Sequence, residues 1–278
     1  MTDYTFYNGK ITTYDSASVP LYDRSLLFGE GVYDLILGQG ERLFQPEEHL
    51  ARLFSNANAL SIPYNYSKSG VEEIISRLIS KSKPEGRFTV YIQMSRSSRR
   101  RSHLHTDADG ANLLITVCAF NDNGKDEISL LSCEDIRYKL CNIKTVNLLP
   151  SVMAANYARS RGADEAVFVR DGIVTECSHS NLFILSGGIL ITHPADEYIL
   201  NGIMRQNFIR TAKELGIPTA EEKFTLAQVK CADEVFVTST TAFAKRCLKL
   251  DGIPLPKRQP ESAQKLTSVL KERFFKQN

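Results

Sequence analysis

Residues 121–126, Asn-Asp-Asn-Gly-Lys-Asp, form a run of turn-forming residues without a large apolar side chain. Such a run favours irregular backbone between packed segments. Before it, the sequence predicts hairpins, helices and two longer strands, and beyond it short apolar strands alternate with helices. We therefore expect an α+β fold in two parts. The smaller N-terminal domain covers residues 1–120, the linker 121–126, and the larger C-terminal domain 127–278.

Local patterns predict the individual elements. Asn8-Gly9 separates two strand-like segments and predicts a tight hairpin, because this pair accepts the positive φ angles of a primed turn. Pro46 predicts the start of a helix whose apolar residues recur at helical spacing. Further predicted helices cover 67–80, 151–161, 203–215 and 261–275, and predicted strands cover 4–7, 10–13, 32–37, 42–44, 87–95, 113–119, 166–169, 181–185, 189–192 and 235–237.

Composition excludes several classes of protein. The 278 residues are 42% hydrophobic and 24% charged, which is ordinary globular usage. Lys+Arg 34 against Asp+Glu 32 leaves a net charge of +2, which argues against a nucleic-acid or anionic-membrane partner. No apolar run approaches the about 18 residues of a membrane span. The first residues lack the basic-then-apolar order of a secretory signal, so we expect a cytoplasmic protein.

The cysteines and histidines predict no metal site. The six cysteines are scattered without a Cys-x-x-Cys pair, which favours free buried thiols over disulfides or bound metal. The five histidines lack the spacing of common zinc ligands.

Lys144 is the first residue that could carry chemistry. It lies in a nearly uncharged, apolar segment, Cys-Asn-Ile-Lys-Thr-Val-Asn-Leu-Leu. Burial there would lower the pKa of the amine, and a neutral amine can attack a carbonyl carbon. The alternative is a lysine at a strand end with its ammonium group in water. The local pattern leaves both interpretations open.

Two further groups have equally ambiguous surroundings. Glu176 lies among hydroxyl and amide side chains, where it could bind a protonated ring nitrogen or cap a turn. The run 238–241, Thr-Ser-Thr-Thr, follows an apolar strand and could bind a phosphate or form an ordinary loop. The start of a helix at 202–204 could bind the same anion through backbone N–H groups, and Arg52 could add a charge.

Residues 96–105 form the most basic stretch of the chain, Arg-Ser-Ser-Arg-Arg-Arg-Ser-His-Leu-His. This basic loop could bind nucleic acid, lie in solvent or bind a small carboxylate. No aromatic residue is interleaved with the arginines, and the net charge of the chain is near zero. Both observations weigh against nucleic acid.

Seven groups of residues occur in a specific joint order: 28–33, 48–53, 135–137 leading into 143–149, 174–176 with 180–181, 192–194, 199–203 and 237–241. Together they resemble the type IV fold of pyridoxal-phosphate enzymes. That group contains branched-chain aminotransferases, D-amino-acid aminotransferases and aminodeoxychorismate lyases. The resemblance is closest to the D-amino-acid aminotransferases and extends over nearly the whole chain.

The resemblance implies roles for these residues. Lys144 would hold pyridoxal 5'-phosphate through a Schiff base and then move the α-proton of the substrate as general base and acid. Glu176 would pair with the pyridine nitrogen and favour its protonated form. The residues expected to complete the cofactor site are Arg52, the backbone of Ile203 and Met204, Ser239 and Thr240 around the phosphate, and Leu200 against the ring.

The resemblance also implies the substrate. Tyr33, Arg101 and His103 match the residues that hold the substrate α-carboxylate in the D-specific family. There the Arg and His come from the neighbouring subunit, which implies a homodimer. The expected reaction is amino transfer between D-amino acids (D-alanine, D-glutamate, D-aspartate) and 2-oxo acids such as 2-oxoglutarate and pyruvate. The alternatives are a branched-chain L-amino-acid aminotransferase, an aminodeoxychorismate lyase or, in another class, a nucleic-acid-binding protein.

The sequence departs from the family pattern at a few positions. Met204 stands where a threonine is common, which leaves only its backbone N–H for the phosphate. Cys177 and His179 replace small residues beside Glu176. Arg99 and Arg100 add charge next to Arg101 and leave open which arginine binds the carboxylate.

Overall fold

The computed structural model describes residues 1–105, 110–121 and 124–276. The chain forms two compact units, Met1–Asp122 with Ile143–Asn147 and Asn123–Asn142 with Leu148–Asn278. Residues 122 and 123 of the predicted linker lie outside the described residues, so the linker stays a prediction. The structure groups Lys144 with the first unit, whereas the sequence placed it in the C-terminal domain. The reason is the backbone bonding of this segment to β3, given below.

The first unit is built on an antiparallel sheet. Its strands are β1 Tyr4–Tyr7, β2 Lys10–Thr13, β3 Gly31–Gln39, β4 Arg42–Leu43, β5 Arg87–Arg96 and β6 Ala111–Ala119. Among the described residues their order across the sheet is β2-β1-β6-β5-β3-β4. The helices are α1 Arg24–Phe28, α2 Pro46–Ala59 and α3 Lys68–Ser82, with a 3-10 turn at Tyr14–Ser16.

Local signals account for several of these elements. Asn8 and Gly9 have φ angles of 44° and 92°, which confirms the predicted turn between β1 and β2. Pro46 opens α2 as predicted, and the Ser67 hydroxyl caps α3 by accepting from Gly70 N (3.0 Å). The apolar faces of the helices pack on the sheet in one core that includes Leu50, Leu53, Ile75, Leu78, Val90 and Ile115.

The second unit contains a larger mixed sheet. Its strands are β7 Glu127–Glu134, β8 Glu165–Arg170, β9 Ile173–Cys177, β10 Asn181–Ser186, β11 Ile189–Thr192, β12 Thr219–Glu221, β13 Phe224–Thr225, β14 Glu234–Ser239, β15 Phe243–Leu250 and β16 Ile253–Pro254. In the described part of the chain their order is β12-β11-β10-β14-β15-β7-β8-β9-β13, with β16 beside β15. The helices are α4 Leu149–Ser160, α5 Ile203–Glu214, α6 Leu226–Cys231 and α7 Pro260–Lys276.

Helix α5 packs on the sheet of the second unit through aromatic contacts. The Phe208 ring lies 5.0 Å from that of Phe183 on β10 and 5.4 Å from that of Phe236 on β14. The opposite face carries an apolar core that includes Val167, Leu182, Val235 and Val237. All six cysteines are free thiols, as predicted, but only Cys177 and Cys247 are buried, Cys231 is exposed, and the other three are partly buried. No helix in the described ranges is long and apolar enough to cross a membrane.

Candidate active site

Lys144 lies beside the start of β3 in the first unit. Its carbonyl accepts a hydrogen bond from Tyr33 N (2.9 Å), and the next residue, Thr145, forms an isolated antiparallel bridge with Val32. Lys144 Nζ donates to Tyr33 Oη (3.3 Å) and lies 4.3 Å from the centroid of the tyrosine ring. The lysine side chain is half-buried. The structure therefore brings together the predicted catalytic amine and one predicted carboxylate ligand.

Close packing at Gly29 holds the segment Ile143–Asn147 in place. Asn147 Nδ2 donates to Gly29 O (2.8 Å), and a Cβ atom at Gly29 would lie only 2.0 Å from Asn147 Oδ1. Gly29 also has a φ of +66° as it ends α1. A larger residue at this position would displace Asn147 and the segment that carries Lys144.

Arg52 is held by a buried carboxylate in the first unit. Its Nε and Nη2 atoms donate to Asp34 (both 2.9 Å), and His49 Nδ1 lies 2.7 Å from Asp34 Oδ1. Burial would raise the pKa of Asp34, but the Arg52 charge and the His49 hydrogen bond hold it well below its usual value. Burial lowers the pKa of His49, which favours the neutral imidazole over the charged one. One edge of the planar guanidinium is thus fixed, which leaves its other edge to face a second anion.

Glu176 lies near the end of β9 in the second unit and is buried. Its Oε1 accepts from Arg137 Nη1 (2.5 Å), and its Oε2 accepts from Asn181 Nδ2 (3.0 Å) and Leu200 N (3.1 Å). Arg137 in turn donates from Nε and Nη2 to Asp135 (both 2.9 Å). Both carboxylate oxygens therefore accept hydrogen bonds from fixed donors, which is the pattern of an ionised carboxylate. The contact with Leu200 N places this residue next to the acid.

Asn181 connects Glu176 with the start of α5. Its Nδ2 also donates to Leu200 O (2.8 Å), and a Cβ atom at Gly202 would lie 2.4 Å from its Oδ1. In the sheet, Asn181 is directly opposite Thr238 of β14. Side chains two residues apart in a strand share a face, so Asn181 and Thr238 lie on the face that carries Phe183 and Phe236, which is covered by α5.

The start of α5 and the end of β14 offer donors for an anion. The N–H groups of Ile203 and Met204 lack an intrahelical acceptor, as at the start of every helix. Gly202 has no side chain that could cap them. The Thr238 hydroxyl is buried on the same face and has no hydrogen-bond partner among the described residues. Ser239 and Thr240 follow it, and Ser239 Oγ accepts from Ala242 N (3.3 Å). An unpaired buried hydroxyl beside unpaired helix N–H groups fits a phosphate.

The residues that depart from the family pattern beside Glu176 lie in different surroundings. Cys177 is buried in the apolar core, where burial raises the pKa of its thiol well above the usual value. The exposed His179 ring pairs through Nδ1 with Glu165 Oε2 (3.0 Å). Met204 is buried at the start of α5.

The basic loop packs against α1 in the first unit. The Phe28 ring lies 5.2 Å from the Arg101 guanidinium carbon and 5.2 Å from the His103 ring. Arg24 donates to the carbonyls of Ser102 (2.6 Å) and His103 (3.3 Å). The two predicted carboxylate ligands of this loop are therefore held against one aromatic ring.

Sequence reasoning missed the residues that hold the predicted ones. Asp34 and His49 fix Arg52, while Arg137 and Asn181 fix Glu176. One local signal existed, since His49 and Arg52 are three residues apart on α2 and must share a face. The contact of Arg137 with Glu176 joins positions 39 residues apart and has no local pattern.

Comparison with known proteins defines the family. The sequence model of the family described as amino-transferase class IV matches residues 31–248. The chain belongs to the class IV aminotransferases. A curated relative, the D-alanine aminotransferase of Listeria monocytogenes serotype 1/2a (strain 10403S), is 35% identical over 269 residues, which cover 92% of this chain and 91% of that protein.

Solved structures show the same fold. The branched-chain aminotransferase of Thermoproteus uzoniensis with norvaline superposes with a TM-score of 0.90 at 26% identity, covering 98% of this chain and 94% of that one. The branched-chain amino acid aminotransferase of T.th. with pyridoxamine 5'-phosphate gives 0.90 at 22% identity, covering 99% and 94%. These matches confirm the predicted α+β type IV fold. The protein is a pyridoxal-phosphate-dependent aminotransferase, whose substrates are amino acids and 2-oxo acids.

Proposed function

We propose that this enzyme transfers amino groups between D-amino acids, such as D-alanine, D-glutamate and D-aspartate, and 2-oxo acids such as 2-oxoglutarate and pyruvate. The observation that carries the proposal is the contact between Lys144 Nζ and Tyr33 Oη (3.3 Å). This contact places the amine that would move the proton next to a residue that would bind the α-carboxylate. The D-alanine aminotransferase of Listeria monocytogenes supports the assignment at 35% identity.

The residues of the second unit fit the cofactor's ring and phosphate. When bound, the cofactor supplies a ring that withdraws electrons from the substrate α-carbon. Glu176 would face the pyridine nitrogen, with its negative charge held by Arg137 and its orientation set by Asn181. Leu200, bonded to the same carboxylate, would pack against the ring.

Each unit, taken by itself, contains donors that would bind the phosphate of the cofactor. In the second unit these are the N–H groups of Ile203 and Met204 and the hydroxyls of Thr238, Ser239 and Thr240. In the first unit Arg52 contributes the edge of its guanidinium that Asp34 leaves open.

Lys144 would hold the cofactor and act as general base and acid at the substrate α-carbon. Its half-buried amine has one described polar contact, with Tyr33, so it can move between positions. Tyr33 with Arg101 and His103 would bind the α-carboxylate. Fixing this group decides which face of the α-carbon meets Lys144, and therefore the handedness of the substrate.

We propose that the enzyme is a cytoplasmic homodimer in which Arg101 and His103 serve the site of the other subunit, with no nucleic-acid or membrane partner. Exposed apolar side chains support an interface. Helix α4 exposes Leu149 (69%), Val152 (51%) and Met153 (55%), which lie within one turn of each other. Monomeric proteins rarely expose apolar patches of this kind.

The second candidate is a branched-chain L-amino-acid aminotransferase, favoured by the Thermoproteus uzoniensis structure at 26% identity. An aminodeoxychorismate lyase on the same fold would need no amino acceptor. Initial rates with D-alanine plus 2-oxoglutarate and with L-leucine plus 2-oxoglutarate separate these candidates. We expect the D substrate to be faster. Faster turnover of L-leucine would contradict the D assignment and leave the cofactor assignment intact.

A further inference from the structure

Two buried arginines share one carboxylate at the base of the basic loop. Glu30 Oε2 accepts from Arg24 Nε (2.5 Å) and Glu30 Oε1 from Arg96 Nε (2.5 Å). The side chains of Arg24 and Arg96 are 4% and 1% exposed, and that of Glu30 is 19% exposed. Burial would raise the pKa of Glu30, but the two guanidinium groups lower it. We call Arg24, Phe28, Glu30 and Arg96 the loop anchor.

The loop anchor fixes the start of the basic loop. Arg96 is the last residue of β5, and its Nη2 donates to the carbonyls of Leu60 (3.2 Å) and Ser61 (2.7 Å). Ser97 N donates to Gly110 O (2.8 Å), so the residue after β5 is bonded to the residue before β6. The loop therefore leaves the sheet at a defined place.

The same anchor fixes the segment that carries Arg101 and His103. The Nη1 and Nη2 atoms of Arg24 bind the carbonyls of Ser102 and His103. The centroid of the Phe28 ring lies 4.6 Å from the guanidinium carbon of Arg24, 5.2 Å from that of Arg101 and 5.2 Å from the centroid of the His103 ring. Cations at such distances from a ring are attracted to its face.

We propose that Phe28 and Arg24 are positioning residues that set the substrate's affinity by holding Arg101 and His103 ready for the α-carboxylate. This inference rests on the proposed function. A free arginine side chain loses conformational entropy when it is fixed on a ligand. A loop anchor that fixes it beforehand removes much of that cost from substrate binding.

The test compares Phe28→Leu with the conservative Phe28→Tyr. We expect Phe28→Leu to raise the KM for D-alanine and 2-oxoglutarate about 5–10-fold, because the aliphatic side chain offers no ring face to Arg101. The kcat and the cofactor Kd should change less than about 2-fold, and Phe28→Tyr should restore the KM. A binding readout without turnover is the Kd of D-lactate, which carries the carboxylate but no amino group. It should weaken by the same factor.

Arg24→Lys provides a second variant if Phe28→Leu folds poorly. Lysine keeps the positive charge beside Glu30 but loses the fork that binds two carbonyls. We expect its KM to rise in the same direction with unchanged cofactor affinity. A fall in cofactor affinity that matches the loss of activity would overturn the inference, because a general structural defect has that signature.

Adding Phe28→Leu to the variant Arg101→Ala with His103→Ala decides whether the anchor acts through the loop. We expect the triple variant to have the KM of Arg101→Ala with His103→Ala within about 2-fold, since a positioning residue contributes nothing once both of its targets are gone. A further increase in KM on adding Phe28→Leu would overturn the inference. A raised KM in Arg101→Ala with an unchanged KM in Phe28→Leu would overturn it too. An unchanged KM in Arg101→Ala would refute the carboxylate assignment itself, and the inference with it.

Discussion

Glu176 and Lys144 are held in opposite ways. In the second unit, Glu176 accepts hydrogen bonds from donors on Arg137, Asn181 and the Leu200 backbone, and it is 7% exposed. In the first unit, the Lys144 backbone is bonded to β3, but its amine has one described polar contact, at 3.3 Å. The acid is thus fixed at both oxygens, and the amine is fixed only at its backbone.

This difference fits the chemical role proposed for each group. An acid that stabilises charge on a ring acts best when it is preorganised, because no reorganisation is then needed during the reaction. An amine that carries a proton between atoms must change position while its backbone stays in place. We therefore expect activity to fall when the hydrogen-bonding pattern of Glu176 changes. For Lys144, we expect activity to depend on the amine alone.

The largest effect is expected for Lys144→Ala. Loss of the general base alone costs about 10²–10⁴-fold in rate, and loss of the cofactor's attachment adds to it. We expect no measurable turnover in initial-rate assays, with little change in the thermal midpoint because the side chain is half-buried. Lys139→Ala, which removes an exposed lysine, is the matched control and should stay active.

Borohydride reduction followed by peptide mapping gives an independent readout for the same residue. We expect the cofactor label on the peptide that contains Lys144. Label on another lysine, or normal turnover in Lys144→Ala, would show that a different amine carries the reaction.

The next effect concerns Asp34, which is as firmly bound as Glu176 although it lies in the first unit. Asp34→Asn leaves the Arg52 charge without its buried partner, which should lower the free energy of unfolding by about 3–5 kcal/mol at pH 7. Asp15→Asn, at an exposed position of the same unit, is the control and should change it by less than about 0.5 kcal/mol.

The sign of the pH dependence follows from the lowered pKa of Asp34. Its stabilising effect is fully present above the pKa of 3.8 for an unperturbed aspartate and is lost as the pH falls through the lower folded value. Chemical denaturation between pH 3 and 7 should therefore show a constant gap between wild type and Asp34→Asn down to about pH 4, and a narrowing gap below it. A gap that widens in acid would contradict the ion pair.

Local signals in the sequence were sufficient for part of the fold. The turn at Asn8-Gly9 and the start of α2 at Pro46 depend on residues that restrict the backbone themselves. Strands β7, β9 and β15 were not predicted. Strand β7 pairs with β8 and β15, which are distant in the sequence, so no local pattern marks it. Strand β9 instead pairs with β8 across the turn at Asp171-Gly172, a local hairpin signal that the sequence analysis missed.

The same distinction between local signals and distant contacts applies to the candidate site. Lys144 and Glu176 stand out in the sequence because each is a lone charge in an unusual segment. Arg137 and Asp34 could not be assigned, since their function is to hold residues that are distant in the sequence. The grouping of Ile143–Asn147 with the first unit is likewise non-local, because its partners are Gly29 and the start of β3.

A smaller loss is expected for Glu176→Gln. Donors occupy both carboxylate oxygens, so the glutamine NH₂ must face Arg137 on one side or Asn181 and Leu200 N on the other. We expect kcat to fall about 10²-fold, as for the loss of one electrostatic contact to a reacting system, with weaker cofactor binding. Glu134→Gln, on an exposed position of β7, is the control. Wild-type kcat in Glu176→Gln would show that this carboxylate does not act on the ring.

The smallest effect concerns Thr238, one of several residues of the second unit with a buried polar atom that has no described partner. Its buried hydroxyl has no partner among the described residues, so Thr238→Val removes a group that costs free energy in the protein without cofactor. We expect unchanged or higher stability for this form and about a 10-fold weaker cofactor Kd, because a hydrogen bond to a charged group contributes about 1.5–3 kcal/mol. Thermal unfolding with and without cofactor measures both quantities.

Thr192→Val provides the matched control for that measurement. Thr192 is also a buried threonine of the second unit, but its hydroxyl donates to Leu182 O (2.9 Å). Valine there should destabilise the protein by about 1 kcal/mol and leave the cofactor Kd unchanged, which is the reverse of the result at Thr238. If Thr238→Val instead destabilises the cofactor-free protein and leaves the Kd alone, the hydroxyl has a structural partner, and the anion site at the start of α5 consists of backbone N–H groups without it.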